Sequence, residues 1–309
     1  MNVIPWSGQP ISEPGLYAKV PIATYHGGRL CAGPSISSSG LRTIFSLSEA
    51  HFFDRWPLNP AHDPDADEES EAFILGRATH HLLLGEPHFA AEYVVRPAEY
   101  PDGCGKPWNG NSNVCRKWLA ERAAEGRTVL TEAQLERVKG MALSLSKQPL
   151  VRQGALNGLI ETTMAWQDKE TGVWLLNRPD VVPTDSADVI DLKTTTSVLY
   201  PDIVKTVGQY GYHQQGALVA EGYEAITGQK IASFSLYFVE SKRPHCCALM
   251  RLKDEDIELG RRQNRHALHR FVRALNTGVW PGPGGEQTRE WYAELSMRQR
   301  EIAEARLRT

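Results

Sequence analysis

The alternation of hydrophobic and polar positions predicts five β-strands in the second half of the chain. Each is a short run of branched and aromatic residues, and turn-forming residues separate several of these runs. The predicted strands are Ile160–Gln167, Val173–Val182, Asp188–Thr194, Ile231–Glu240 and His245–Leu252. A polar turn at 168–172 joins the first two, and residues 183–187 have the composition of another turn.

Helical periodicity predicts elements on both sides of these strands. The predicted helices are Ser39–Arg55, Ser70–Leu84, Thr131–Gln148, Asp202–Glu221, Asp254–Thr277 and a charged C-terminal segment, Glu286–Arg308. Thr131 offers an N-cap oxygen, and Gly222 fits a C-terminal stop. Residues 1–34 and 96–114 are predicted to be loops because glycine and proline are frequent in them.

The order of these elements favours an α/β (α+β) fold with a central mixed sheet flanked by helices. Strands and helices do not alternate regularly, so a βαβ array is not expected. We expect one domain over residues 1–309, with a helical N-terminal part (1–150), a sheet core (155–283) and a C-terminal helix (284–309).

Two acidic residues and a lysine interrupt the apolar strands. In Asp191-Leu192-Lys193 the alternation of a strand places Asp191 and Lys193 on one face and Leu192 on the other. A hairpin through residues 183–187 would bring Asp180, which follows Arg178-Pro179, beside Asp191. Two carboxylates suit Mg²⁺, and a nearby lysine can orient a metal-bound water. The pattern therefore predicts a metal-dependent phosphodiesterase.

The simpler interpretation of Asp191-Leu192-Lys193 is an ion pair on the protein surface. The surrounding sequence favours a functional site instead, because Asp180 and Asp191 both lie in strongly apolar segments, where an unpaired charge is costly.

Several further motifs resemble those of a known family. They are Tyr25-His26, Pro34–Leu41, Gly76–Leu84 with Glu86-Pro87, Tyr212–Ala217 and Trp280-Pro281-Gly282. Their order, together with Asp180 and Asp191-Leu192-Lys193, resembles the PD-(D/E)xK nuclease superfamily, and within it the RecE-type (exonuclease VIII-like) phage and prophage exonucleases. Gly85 is an extra residue relative to the family's helix motif. The resemblance implies a restriction-endonuclease-like core.

The resemblance also implies roles for further residues. His80 and Glu161 become candidate metal ligands beside Asp180, Asp191 and the carbonyl of Leu192. Mg²⁺ is the expected cofactor, and Mn²⁺ a substitute that an imidazole ligand tolerates better. His81 is expected to be structural.

The helix that carries Tyr212, His213 and Gln215 is expected to contact DNA, because the family's corresponding helix borders the active site. Family members digest linear double-stranded DNA processively from the 5′ end and leave 3′ single-stranded tails for recombination. They work with a single-strand annealing protein (RecT-like) and assemble as rings, so a homo-oligomer, a ring tetramer, is expected.

The charge distribution indicates one candidate DNA-binding surface, in the C-terminal part of the chain. The net charge is −3, but residues 241–309 hold 14 Lys and Arg against 9 Asp and Glu. Arg262, His266, His269 and Arg273 share one face of a predicted helix. We expect this face to follow a DNA backbone, and a solvated basic face is the alternative.

The five cysteines argue for a reducing compartment, and cytoplasmic is the expected location. Adjacent Cys246 and Cys247 do not suit an iron–sulfur cluster or zinc. No apolar run has the length of a membrane helix, no signal-peptide pattern follows Met1, and no phosphate-binding glycine loop indicates a nucleotide.

Two alternative functions stay open at this stage. One is a nuclease of the same fold that acts on single strands or as an endonuclease. The other is a catalytically silent DNA-binding scaffold, which the presence of Asp180, Asp191 and Lys193 disfavours.

Overall fold

The computed structural model describes residues 2–63, 70–84, 89–285 and 293–307. Its strands are β1 (Val3–Pro5), β2 (Gly15–Ala18), β3 (Ser35–Ser37), β4 (Tyr93–Val95), β5 (Thr128–Leu130), β6 (Gly158–Ile160), β7 (Thr163–Gln167), β8 (Trp174–Asn177), β9 (Val181–Pro183), β10 (Asp188–Thr195), β11 (Ser233–Glu240) and β12 (Cys247–Arg251).

The helices of the same residues include several short ones. They are α1 (Ile22–His26), α2 (Ser38–Ser46), α3 (Glu49–Asp54), α4 (Glu71–Leu83), α5 (Phe89–Glu92), α6 (Asn113–Ala124), α7 (Glu132–Ser146), α8 (Pro149–Arg152), α9 (Tyr200–Tyr210), α10 (Tyr212–Thr227), α11 (Asp254–Thr277) and α12 (Met297–Leu307). Gly85, the Glu86-Pro87 motif and the start of the predicted C-terminal helix (286–292) lie outside the described residues.

A three-stranded sheet, in the order β10-β11-β12, carries the predicted acid and lysine. β10 is parallel to β11, and β12 is antiparallel to β11. The alternation of β10 sends Ile190 and Leu192 into a hydrophobic cluster with α4 and α7, whereas Val189 joins a cluster with α9 and α10. The sheet is therefore covered by helices on both faces, and the mixed α/β fold predicted from the sequence is confirmed.

A second sheet, in the order β1-β2-β7-β8-β3, also mixes parallel and antiparallel pairs. α10 packs against it so closely that a Cβ at Gly222 would lie 2.5 Å from Cζ3 of Trp166. The prediction that Gly222 ends this helix is wrong, since its role is close packing. The helix continues to Thr227 and ends at Gly228, whose φ is 71°.

Two predicted strands are each divided in the structure. The predicted strand Ile160–Gln167 breaks at Glu161, whose φ is 45°. The predicted strand Val173–Val182 breaks at Arg178-Pro179-Asp180, where Pro179 lacks the N–H that a strand ladder requires. The separated ends, β6 and β9, pair with each other instead. These two breaks place Glu161 and Asp180 side by side, where Glu161 N donates to Asp180 O at 3.0 Å.

Two predicted helices are divided as well. Ser39–Arg55 becomes α2 and α3, and the side chain of Ser48 caps the start of α3. Asp202–Glu221 becomes α9 and α10, joined by Gly211 in the left-handed region with a φ of 63°. α11 matches its predicted bounds.

Both predicted loops contain regular structure. Residues 1–34 include β1, β2 and α1, and residues 96–114 include the start of α6. β1, β2 and α1 have three to five residues, too few for hydrophobic periodicity to reveal them. α6 is longer, but Cys115 is its one buried residue, so its sequence carries little periodicity.

Candidate active site

The two predicted acids meet where β9 begins and β10 passes. Asp180 Oδ2 accepts a hydrogen bond from the backbone N–H of Leu192 at 2.6 Å. The Asp180 carboxylate is therefore fixed directly beside the Asp191-Leu192-Lys193 segment. Burial opposes ionisation of Asp180, but the neighbouring His80, Lys193 and Leu192 N–H outweigh it and lower its pKa.

Asp191 is the most buried member of the site, with 1% of its surface exposed. Its Oδ1 accepts a hydrogen bond from Nε2 of Gln215 on α10 at 2.8 Å. Its Oδ2 forms an ion pair with Lys193 and has no hydrogen bond of regular geometry among the described residues. Burial and the charge of Asp180 raise the pKa of Asp191, although Lys193 opposes this.

The Lys193 ammonium lies between a carboxylate and an aromatic ring. Besides Asp191, it contacts the ring of Tyr212 at 4.9 Å from the centroid, a cation–π geometry. Burial lowers the pKa of Lys193, but the charges of Asp191 and Asp180 exceed that effect and raise it. The side chain is therefore held as a cation next to both acids.

His80 approaches the site from α4. Its Nδ1 lies 3.2 Å from Asp180 Oδ1. One helical turn earlier, a Cβ at Gly76 would lie 3.1 Å from Thr194 Oγ1 on β10. The glycine thus lets α4 approach the sheet closely enough for His80 to reach Asp180.

Glu161 lies next to Asp180, but two other side chains engage its carboxylate. Its Oε2 accepts from Nη2 of Arg178 at 2.8 Å, and its Oε1 lies 3.4 Å from Nε2 of His81. His81 Nδ1 in turn lies 3.1 Å from Glu92 Oε2. Burial raises the pKa of Glu161, but His81 and Arg178 together lower it. In this conformation Glu161 braces the Arg178-Pro179-Asp180 turn.

Sequence reasoning missed Arg178 and Arg42 as members of this region. Arg178 Nη1 also donates to Val20 O at 2.8 Å, which ties the turn to the N-terminal part of the chain. Arg42 Nη1 donates to Tyr210 O at 2.8 Å, and the charge of Arg42 acts on Tyr212 and Asp191. Arg178 precedes Asp180 by two residues, which was a usable signal, whereas nothing in the sequence near Arg42 indicates this contact.

The donor atoms of the site suit a hard divalent cation. Asp180 and Asp191 supply carboxylate oxygens, and a cation in contact with both would offset the repulsion that raises the pKa of Asp191. No three His, Cys, Asp or Glu side chains within the described residues are arranged to hold a metal ion. Main-chain oxygen and water would therefore complete the ligands, which is common for Mg²⁺.

The predicted DNA-contacting residues fall into two groups. Tyr212 contacts Lys193 and Gln215 contacts Asp191, whereas His213 Nε2 lies 2.6 Å from Oε1 of Gln263 on α11. Arg262 and Arg273 are exposed on α11, about 16 Å apart along its axis at 1.5 Å per residue.

A cleft of about 740 Å³ lies apart from these residues. It lies beside β1, β2 and the turn before β10, and its charged lining residue is Asp185. Without a cation in its described lining it is poorly suited to a phosphate. The chemistry therefore points to the charged site around Asp180 and Asp191 and not to this cleft.

Comparison with known proteins assigns most of the chain to one family. A family model described as a PDDEXK-like domain of unknown function (DUF3799) matches residues 37–289, which include His80, Asp180, Asp191 and Lys193. None of the curated proteins compared with the chain matches it.

Solved structures show likenesses at low sequence identity. A candidate exonuclease from Eubacterium rectale is 14% identical, with a TM-score of 0.58, over 89% of this chain and 93% of that one. A phage-related exonuclease from Haemophilus somnus is 11% identical, with a TM-score of 0.30, over 65% and 95%. An alkaline exonuclease from Laribacter hongkongensis is 13% identical, with a TM-score of 0.26, over 54% and 86%. Only the first of these three likenesses supports a shared fold.

None of the helices in the described ranges is both long and apolar enough to cross a membrane.

The family match covers most of the sequence, and the mixed sheet flanked by helices agrees with it. The chain therefore belongs to the PDDEXK-like domain family, which confirms the resemblance to the PD-(D/E)xK superfamily.

Proposed function

We propose that this protein is a metal-dependent DNA exonuclease that hydrolyses phosphodiester bonds. The observation that carries the proposal is the buried cluster of Asp180, Asp191 and Lys193, in which two carboxylates and one ammonium converge at the junction of β9 and β10. Buried like charges repel each other, so such a cluster destabilises the fold. Its presence therefore favours a functional role.

The residues have distinct roles in this proposal. Mg²⁺, or Mn²⁺ in its place, would be held by Asp180, Asp191 and the carbonyl of Leu192, and would supply an activated water and charge neutralisation. His80 and Glu161, whose side chains engage Asp180 and Arg178, would lie outside the direct ligands of the metal. Lys193 donates hydrogen bonds to the attacking water or to a phosphoryl oxygen. Gln215 holds Asp191 in place, and Asp180 is fixed by Leu192 N–H.

The finer features of the activity rest on the RecE-type motifs. We propose linear double-stranded DNA as the substrate, processive 5′-to-3′ digestion, and 3′ single-stranded tails as the product for recombination. The proposal includes a ring tetramer and a single-strand annealing protein as partner. A closed ring would retain DNA by topology, which reconciles processivity with a net charge of −3. The five free cysteines favour work in the reducing cytoplasm.

The test is digestion of matched DNA substrates with and without Mg²⁺. Linear duplexes labelled at the 5′ or the 3′ end are compared with a covalently closed circle. Lys193→Ala should abolish cleavage, whereas Lys205→Ala, an exposed lysine on α9, should leave it unchanged. Loss of the 5′ label with the circle spared is the expected result.

Any other result of this digestion would favour one of the alternative functions. Cleavage of the circle would indicate an endonuclease, and digestion restricted to denatured DNA would indicate a single-strand nuclease. Absence of metal-dependent cleavage by the wild-type protein would overturn the proposal and favour a DNA-binding scaffold.

A further inference from the structure

A small cleft of about 120 Å³ opens beside the candidate active site. Its volume equals about four water molecules at roughly 30 Å³ each, so it has room for one small planar group. Three helical regions line it: α2, the junction of α9 with α10, and α11. The lining residues that matter here are Arg42, Phe45, Ser46, Tyr210, His213 and Gln263.

The aromatic wall of the cleft is created by the break between α9 and α10. Side chains at positions i and i+2 of a continuous helix do not face each other. Because Gly211 adopts a φ of 63°, the ring of Tyr210 instead stacks on that of Tyr212, with centroids 5.8 Å apart and an interplanar angle of 24°. Tyr212 also contacts the Lys193 ammonium, so the ammonium, the Tyr212 ring and the Tyr210 ring form one continuous series of contacts.

Tyr210 nevertheless remains 55% exposed, although it takes part in this series. An exposed aromatic ring costs free energy in water, and burying its surface against a planar partner recovers that cost. The ring therefore offers a stacking surface that is separated from Lys193 by the Tyr212 ring alone.

The polar wall of the cleft supplies charge and hydrogen bonds. The Arg42 guanidinium donates to Tyr210 O at 2.8 Å and so fixes the junction. His213 and Gln263 meet across α10 and α11 at 2.6 Å, and His266 contacts Phe45 edge-on with centroids 6.3 Å apart. The cleft thus lies between Tyr210, which is one ring away from Lys193, and Gln263 on α11, whose neighbour in the chain is exposed Arg262.

We propose that this cleft is a nucleobase subsite that takes one unpaired nucleotide of the DNA strand, with its base stacked on Tyr210. This inference rests on the proposed nuclease function and refines its substrate. The cleft admits a single base and not a base pair, and stacking on tyrosine is tolerant of base identity. The protein therefore engages a frayed or single-stranded end beside the scissile phosphodiester.

The test measures binding without hydrolysis. Wild-type protein is titrated in EDTA against a duplex with a short unpaired tail that contains 2-aminopurine, whose fluorescence falls on stacking, and against the blunt duplex. The variants are Tyr210→Ala and Tyr210→Phe. Tyr200→Ala is the matched control, because Tyr200 is 68% exposed at the other end of α9 and does not line the cleft.

The expected result is a loss of affinity for the tailed duplex of about tenfold in Tyr210→Ala, as base stacking on an aromatic residue predicts. The 2-aminopurine quenching should be lost in the same variant. Tyr210→Phe and Tyr200→Ala should behave like the wild type, and the blunt duplex should be affected much less.

Two results overturn the subsite. One is wild-type affinity and quenching in Tyr210→Ala, or a wild-type protein that binds no tail. The other is an equal loss in Tyr200→Ala, which would indicate a nonspecific surface effect. Failure of the nuclease proposal is distinguishable, since a protein that quenches 2-aminopurine through Tyr210 but cleaves no DNA with Mg²⁺ would retain the subsite and lose the enzyme.

Discussion

At the scale of single residues, the position of the Asp191 carboxylate depends on one neutral hydrogen bond and one ion pair. Gln215 Nε2 donates to Oδ1, and Lys193 faces Oδ2. Lys193 must also act on the substrate in the proposed reaction, so Gln215 is the contact that can hold Asp191 throughout. A buried carboxylate oxygen that loses its donor retains the full cost of desolvation.

We therefore predict that Gln215→Leu lowers stability and cleavage together. The free energy of unfolding should fall by about 1–3 kcal/mol, and kcat by at least tenfold, because Asp191 is left without its fixed donor. Asn264→Leu is the matched control. Asn264 is also buried, on α11, and its amide bonds Gln214 and not the acids.

Both variants should lose comparable stability in urea denaturation, whereas only Gln215→Leu should lose turnover. Full turnover in folded Gln215→Leu would contradict the assigned role.

Local sequence patterns predicted that the two acids and the lysine lie together, but they did not predict the residues that contact them. Asp191 and Lys193 are two residues apart on a strand, so their common face follows from nearby sequence. The predicted hairpin between the strands of Asp180 and Asp191 is wrong, since β9 pairs with β6 and β10 pairs with β11, although Asp180 still reaches Leu192 N–H. Arg42 meets Tyr210 across 168 positions, and no local pattern records such a contact. His81 was expected to be structural and braces Glu161 in the structure.

At the scale of elements, the breaks in helices and strands determine where the side chains of the candidate site lie. α11 was predicted in full because its charged start, regular periodicity and following Gly278 agree with one another. The α9–α10 junction was missed because the apolar period continues through Gly211 and hides a change of direction. The Arg178-Pro179-Asp180 break was missed because apolar residues surround it on both sides.

The close contact between Gly222 on α10 and Trp166 leads to a prediction about stability. Gly222→Ala should lower the free energy of unfolding by about 1–3 kcal/mol, because its Cβ would lie 2.5 Å from the rigid Trp166 ring. Gly208→Ala on α9 is the control, since a Cβ there has no atom within 4 Å. That variant should instead stabilise the protein by about 0.5–1 kcal/mol through helix propensity.

Urea denaturation of both variants measures the difference. Equal effects of the two substitutions would show that the contact between α10 and Trp166 is not the reason for glycine at position 222.

At the scale of the whole molecule, α11 connects distant parts of the chain through two ion pairs. Arg270 Nε donates to Glu49 Oε1 at 2.8 Å, which ties α11 to α3, and Arg265 Nη1 donates to Asp168 Oδ1 at 2.7 Å, which ties it to the turn between β7 and β8. Glu49 and Asp168 are both buried. Burial raises the pKa of each acid, but the arginine contacts, and Thr171 for Asp168, lower it further than burial raises it.

These lowered pKa values predict loss of stability in acid. Each carboxylate has a lower pKa in the folded than in the unfolded protein, so its stabilisation is complete above the unfolded pKa, about 4. It is lost as the pH falls through the folded pKa, because the unfolded state then binds more protons. The double variant Glu49→Gln with Asp168→Asn should be less stable than the wild type at pH 7 by about 1–3 kcal/mol.

Thermal unfolding of both proteins between pH 7 and pH 3 tests this sign. The difference in Tm should be largest near neutrality and should shrink as the pH falls below about 4, since protonation removes from the wild type the same charges that substitution removes from the variant. A difference that stays constant down to pH 3 would mean that the two arginine contacts stabilise the fold by packing and not by charge. The position of α11 relative to α3 and the sheet would then depend on its buried face alone.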